Sequence, residues 1–161
     1  MFARLSRLCR LLPVLICLPF AVSAADLDNR DGWAVHKTDK PYAQLIKDLA
    51  AAVKAEGLIV VTQAGPTKAA AARGITIPGN RVMGVFNNDY AVRVLALSTA
   101  AMIEAPIRFY VTETPDGSGT LSYKTPNHVF APYVPTGGAA LQEIADELSQ
   151  QFDAIAKNAI R

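Results

Sequence analysis

The chain has 161 residues, with 16 Lys and Arg against 14 Asp and Glu, and is 51% hydrophobic. Three of the basic residues, Arg4, Arg7 and Arg10, stand ahead of an apolar block from Leu11 to Phe20, so the basic surplus belongs to the first residues alone. Without them the balance is 13 to 14, a net charge of −1, so the charge total gives no argument for nucleic acid or an anionic membrane as a partner, and neither is expected.

The order of the first segment is that of a secretory signal peptide, 1–25. A basic start is followed by an apolar stretch and then by "AVSAAD", with small residues at either Val22 and Ala24 or Ser23 and Ala25. The mature chain is expected to begin at Ala25 or Asp26. A block of about ten residues is too short for a spanning helix, which needs about 20. An acylated Cys17 is disfavoured because the bulky Ile16 precedes it. Cleavage removes Cys9 and Cys17, so no thiol or disulfide is left in the mature chain. The protein is expected to be periplasmic or secreted, with no transmembrane segment after cleavage. The remaining length suits one domain with a sizeable core.

Residues 26–38 read as a polar tail ending in a possible first strand, Trp33 to Thr38, and residues 39–161 as a single domain. Asp39 is placed to cap a helix with Pro41 in its first turn, followed by Tyr42, Leu45, Ile46, Leu49 and Val53 at helical spacing. Gly57 ends that helix. Leu58 to Gln63, a continuous apolar run, reads as a strand covered on both faces. A short alanine-rich helix capped by Thr67 and ended by Gly74 comes next.

After the turn at Pro78, Gly79 and Asn80, a strand is expected over Arg81–Phe86. Asn87, Asn88 and Asp89 precede a helix whose apolar face holds Ala91, Val94 and Leu95. Beyond Pro106, Ile107, Phe109 and Val111 alternate with Arg108, Tyr110 and Thr112. The turn residues Pro115, Asp116, Gly117 and Gly119 then lead to a return strand with Leu121 and Tyr123. A proline-rich connection precedes a long final helix that begins near Gly138, with Leu141, Ile144, Leu148, Phe152 and Ile155 in one stripe. These elements predict a two-layer α+β fold. Its mixed sheet of about four to five strands has helices packed on it, and includes the C-terminal hairpin and the long final helix. A fully antiparallel, ferredoxin-like sheet is the nearest alternative.

From Asp39 onward, several words of the sequence resemble those of a prokaryotic family, the domain of unknown function 302. They are Glu56-Gly57 ahead of a strand, "RVMGVFNN" with Gly84 and Asn87 at the best-matched positions, Ala105-Pro106, and "SYKTP" with Tyr123 and Pro126. The chain departs from the family at Asn88, where members often have proline. It departs again at Gly65, Pro66 and Thr67, where some have a histidine, and at Phe86 and Ile107, where others have cysteine. The resemblance implies an α+β fold and a homodimer, and it implies no agreed activity.

Little in the chain has the spacing of a reactive centre. His36 and His128 are far apart in sequence, and Met83 and Met102 sit in apolar segments, so no metal and no cofactor are expected. There is no nucleophile elbow; Gly117 to Gly119 is a hairpin loop, and Gly137 and Gly138 lack the Lys-Ser/Thr that completes a phosphate loop. Two places could hold a ligand. One is the Asn turn, where a helix start offers free amides; the other is the stretch around His128, near Tyr123 and Tyr133. The candidate ligand-binding residues are therefore Asn87, Asn88, Tyr123 and His128. Asn87 is expected to bind, Asn88 to start the helix, and the two to share a crevice with Tyr123 and His128. Three readings follow. The first is an exported, non-enzymatic binding or interaction domain for a small molecule or envelope protein. The second is a small envelope enzyme of hydrolase or isomerase type that pairs the Asn turn with His128. The third is a structural accessory of an envelope complex.

Overall fold

The computed structural model describes residues 27–161. The expected signal peptide, with Cys9 and Cys17, lies outside them. Strand β1, Trp33–Pro41, runs directly into helix α1, Tyr42–Ala55. Asp39 therefore lies in an irregular strand end and caps nothing. Pro41 takes the cap position in an extended conformation with no side-chain capping bond, and Lys40 anchors the corner through Asp48 at 2.6 Å. Leu45, Leu49, Ala52 and Val53 form the buried stripe of α1, and Gly57 ends it at φ +77°, where other residues are strained.

Strand β2, Ile59–Ala64, departs from expectation. It is an edge strand paired only with β3, and Ile59 and Val61 are 59% and 45% exposed. Apolar content alone does not distinguish a strand covered on both faces from one at a sheet edge. After helix α2, Thr67–Ala71, comes strand β3, Asn80–Phe86, and then helix α3, Asn88–Leu97. Thr67 does not cap α2; Pro66 holds that position, and the Thr67 hydroxyl donates to Pro78 O at 3.3 Å.

Strands β4, Ile107–Glu113, and β5, Ser118–Lys124, form the expected hairpin. The proline-rich connection contains helix α4, Pro126–Phe130, whose cap Thr125 accepts from His128 N. Helix α5, Val134–Ile160, is interrupted by Gly138 at φ +73°, so its regular part begins where the sequence predicts.

The fold is α+β, with strand order β1-β5-β4-β3-β2. The sheet is antiparallel at every pairing and not mixed. The early alternation of strands and helices suggested a mixed sheet, but β1 and β2, which flank α1, end up on opposite edges and pair antiparallel with other strands. Helices α1 and α5 cover one face, on a core that contains Leu45, Leu49, Met83, Phe109, Val111, Leu121 and Phe152. Phe109 stacks on Phe152 at 4.5 Å between ring centroids, and Tyr123 closes the cluster at 5.1 and 5.6 Å. Because side chains alternate along a strand, Arg108, Tyr110, Thr112 and Lys124 point to the opposite face.

Candidate functional site

The Asn turn at the end of β3 is closed by its own hydrogen bonds. Asn87 Oδ1 accepts from Asp89 N at 2.8 Å and Tyr90 N at 3.3 Å, and Nδ2 donates to Gly57 O at 3.0 Å. Asn87 is therefore the cap of α3 and also ties it to the start of β2. Asn88 starts the helix as expected, as its first residue, but it is exposed and makes no side-chain hydrogen bond among the described residues; the capping bonds come from Asn87, which was expected to be left for a ligand. Asn87 borders an apolar cavity of about 40 Å³, walled by Leu58, Val94, Phe130 and Phe152. That is far below the roughly 300 Å³ at which small-molecule pockets begin.

The other two candidates lie elsewhere. Tyr123 is 4% exposed within the aromatic cluster. Burial, with a lesser contribution from Asp153, pushes its phenol up to about 12. His128 projects from α4 against Gly32, where an added Cβ would meet the imidazole ring at 2.1 Å. Gly32 has φ +75°, and its carbonyl accepts from Thr125 N at 2.8 Å, so this contact sets how the chain enters β1. No hydrogen bond joins His128 to the Asn turn among the described residues. The Asn turn, Tyr123 and His128 thus form three separate environments.

Among the described residues, a concavity with aromatic and charged walls lies on the open face of the sheet. It measures about 540 Å³ and is lined by Trp33, Asn80, Val82, Glu104, Ile107, Arg108, Tyr110, Tyr123, Lys124 and Val129. The strand register explains why these side chains meet. Trp33 pairs with Lys124, Gly84 pairs with Arg108, and the β4–β5 register carried one step on sets Arg108 opposite Lys124. One row across the sheet thus reads Trp33, Lys124, Arg108, Gly84. In the next row Tyr110 is opposite both Val82 and Ser122. The Tyr110 hydroxyl accepts a hydrogen bond from Asn80 Nδ2, which holds the ring across the sheet. At the groove's end, Glu104 accepts from Tyr133 OH at 2.7 Å, and that bond raises the Tyr133 pKa. The Trp33 ring has Arg30 at 5.3 Å and Lys124 at 5.9 Å from its centroid. Except for Tyr123, this set was missed from the sequence. The signal available was the alternation Arg108, Tyr110, Thr112 with Lys124 across the hairpin, which marks a polar outward face without showing that it is concave.

Comparison with known proteins agrees with this architecture. The profile of the family described as "Domain of unknown function DUF302" matches residues 34–159. The chain belongs to the DUF302 family. A crystal structure of an uncharacterized conserved DUF302 protein from Bacillus stearothermophilus is similar to it, with a TM-score of 0.71 and 20% identity. The match covers 82% of this chain and 100% of that one. At that identity the likeness concerns the fold alone. No curated protein matches the sequence.

Among the described residues of this DUF302 chain, no group of three or more His, Cys, Asp or Glu is placed to hold a metal ion. Nor is any described helix long and apolar enough to cross a membrane. The groove offers aromatic surface beside two cations, a chemistry suited to holding a ligand by stacking and charge.

Proposed function

We propose that this chain is an exported, non-enzymatic binding domain that takes a small ligand on the open face of its sheet. The observation that carries the reading is the groove of about 540 Å³ with Trp33, Tyr110, Arg108 and Lys124 in its walls, opposite the face filled by helices. Its size falls within the roughly 300–1,000 Å³ typical of small-molecule sites. Export is supported by the arrangement of residues 1–25, and binding over catalysis by how the polar groups are used. Asn87 spends its side chain on the cap of α3, and His128 packs on Gly32. Native mass spectrometry of protein recovered from its own envelope tests the reading. A retained small molecule that is lost when Trp33 and Tyr110 are both replaced by Ala supports it. A retained molecule indifferent to those changes overturns it.

A homodimer formed through the β2 edge is the second part of the proposal, supported by the exposed Ile59 and Val61. The strand Ile59–Ala64 carries no charge and no proline, the usual guards of a free sheet edge. Two copies of an edge strand paired antiparallel are related by a twofold axis, and an uncharged strand brings no like charges together there. Sedimentation at micromolar concentration that finds monomer alone removes this part.

A further inference from the structure

We infer that the ligand of the open-face groove is a small, flat organic carboxylate, bridged by Arg108 and Lys124 and lying along Tyr110. This deepens the binding reading above and rests on it. The inference begins from an arrangement that the fold itself does not favour. Continued one step past Phe109 and Tyr123, the β4–β5 register sets Arg108 and Lys124 opposite each other, and like charges so placed destabilise a sheet. Among the described residues neither cation forms an ion pair with a carboxylate. The Arg108 side chain makes no hydrogen bond among them either, and Lys124 meets the Trp33 ring at 5.9 Å. The carboxylate in the same lining, Glu104, is engaged by Tyr133 OH at 2.7 Å. A single anion between the two cations would turn their repulsion into attraction.

Three features narrow the anion. A guanidinium presents a planar fork that matches a carboxylate in two parallel hydrogen bonds. Tyr110 lies two residues along β4 from Arg108, about 7 Å away at the strand rise, and its hydroxyl is held by Asn80. The surface next to the cations is therefore a fixed aromatic plane, suited to a flat body attached to the charge. Finally, Glu104 places a negative charge in the wall, which opposes a doubly charged phosphate more than a singly charged carboxylate.

The chain contains a single tryptophan, Trp33, and it lines this groove, so intrinsic fluorescence reports on the site directly. The purified protein is titrated with benzoate, with benzyl alcohol as a neutral counterpart, and with inorganic phosphate. Benzoate is expected to change the Trp33 signal saturably, with the other two at least tenfold weaker. R108A and K124A are each expected to weaken benzoate about tenfold or more, the loss of about 1.4 kcal/mol of binding. Their melting temperatures should be unchanged or higher, because each removes the repulsion; R108K should retain part of the affinity. Equal saturation by benzyl alcohol overturns the carboxylate while leaving the groove as the binding surface. Tighter binding of phosphate overturns it in favour of a phosphorylated ligand. A benzoate response that R108A and K124A leave intact, or no response to any of the three probes, also overturns it. The groove reading itself fails separately, through the retained molecule's indifference to Trp33 and Tyr110.

Discussion

Asn87 engages both polar atoms of its side chain, Oδ1 on the first amides of α3 and Nδ2 on Gly57 O. Loss of such a cap costs about 0.5–2 kcal/mol. Asn87→Ala should lower the unfolding free energy by about that amount, toward the upper end because the tie to Gly57 goes with it. Asn88→Ala, at an exposed first helical position, should stay within about 0.5 kcal/mol of the parent. Chemical denaturation of the two variants checks this, and equal losses would contradict the cap assignment. From sequence, the pair could be seen to start a helix, but which Asn caps depends on backbone dihedrals: Asn87 is extended at φ −142°, ψ 128°. Tyr123 supplies a pH test. Its phenol ionises near 10 when free and near 12 in the fold, chiefly because it is buried. Between those values the unfolded chain gives up a proton that the folded chain keeps. The contribution is therefore intact below pH 10 and is lost as pH rises toward 12. Alkaline denaturation should begin above pH 10, and Tyr123→Phe should blunt the fall without abolishing it. Burial also raises Tyr42 and Tyr90, so they contribute to the same slope. An unchanged slope in Tyr123→Phe would show that the fold does not hold this phenol neutral.

Strand β2 shows what element-level reading captured and what it missed. Its extended conformation and near-boundaries followed from an apolar run between Gly57 and Gly65. Its place at the sheet edge did not, because that depends on β1 joining β5 at the far side of the sheet. Helix α4 was missed for a related reason. Three prolines suggest an irregular connection, yet Pro126 stands in the first turn, where its missing N–H is harmless, and Thr125 caps the turn. The hairpin was read correctly because its cues are local. Asp116 accepts at the tip from both the Thr114 and Ser118 hydroxyls, which hold its carboxyl down at about 2. At β2, Val61→Lys places a charge on the exposed edge. Sedimentation should show the protein shifted to monomer, with the melting temperature measured on dilute protein almost unchanged, since position 61 is already 45% exposed. A variant that still dimerises would place the interface elsewhere.

At the level of the whole molecule, the class of the fold could be read from the sequence, whereas the groove on its open face could not. Periodicity located the apolar stripes of α1 and α5 and the inward residues of the hairpin, and these meet in one core. The groove required knowing that Trp33, at the start of the chain's first strand, comes beside Lys124 near the end of its last. Those positions are 91 residues apart, and no local pattern links them. The helix-covered side holds the core, and the proposed binding reading assigns recognition to the open side. The division can be tested by paired substitutions. Phe152 is 1% exposed and stacks on Phe109 at 4.5 Å beneath α5. Phe152→Ala should therefore cost about 3–5 kcal/mol, the range for truncating a buried aromatic. Against a total of about 5–15 kcal/mol for a domain, that is enough to leave the chain poorly folded or barely stable. On the other face, Lys124→Ala removes an exposed side chain and one cation of an opposed pair, so it should leave stability unchanged or raise it, by no more than about 0.5 kcal/mol. Urea unfolding of both variants measures the asymmetry. If Lys124→Ala destabilised the protein as much as Phe152→Ala, the open face would be a structural layer, and its cations would belong to the fold instead of to a ligand.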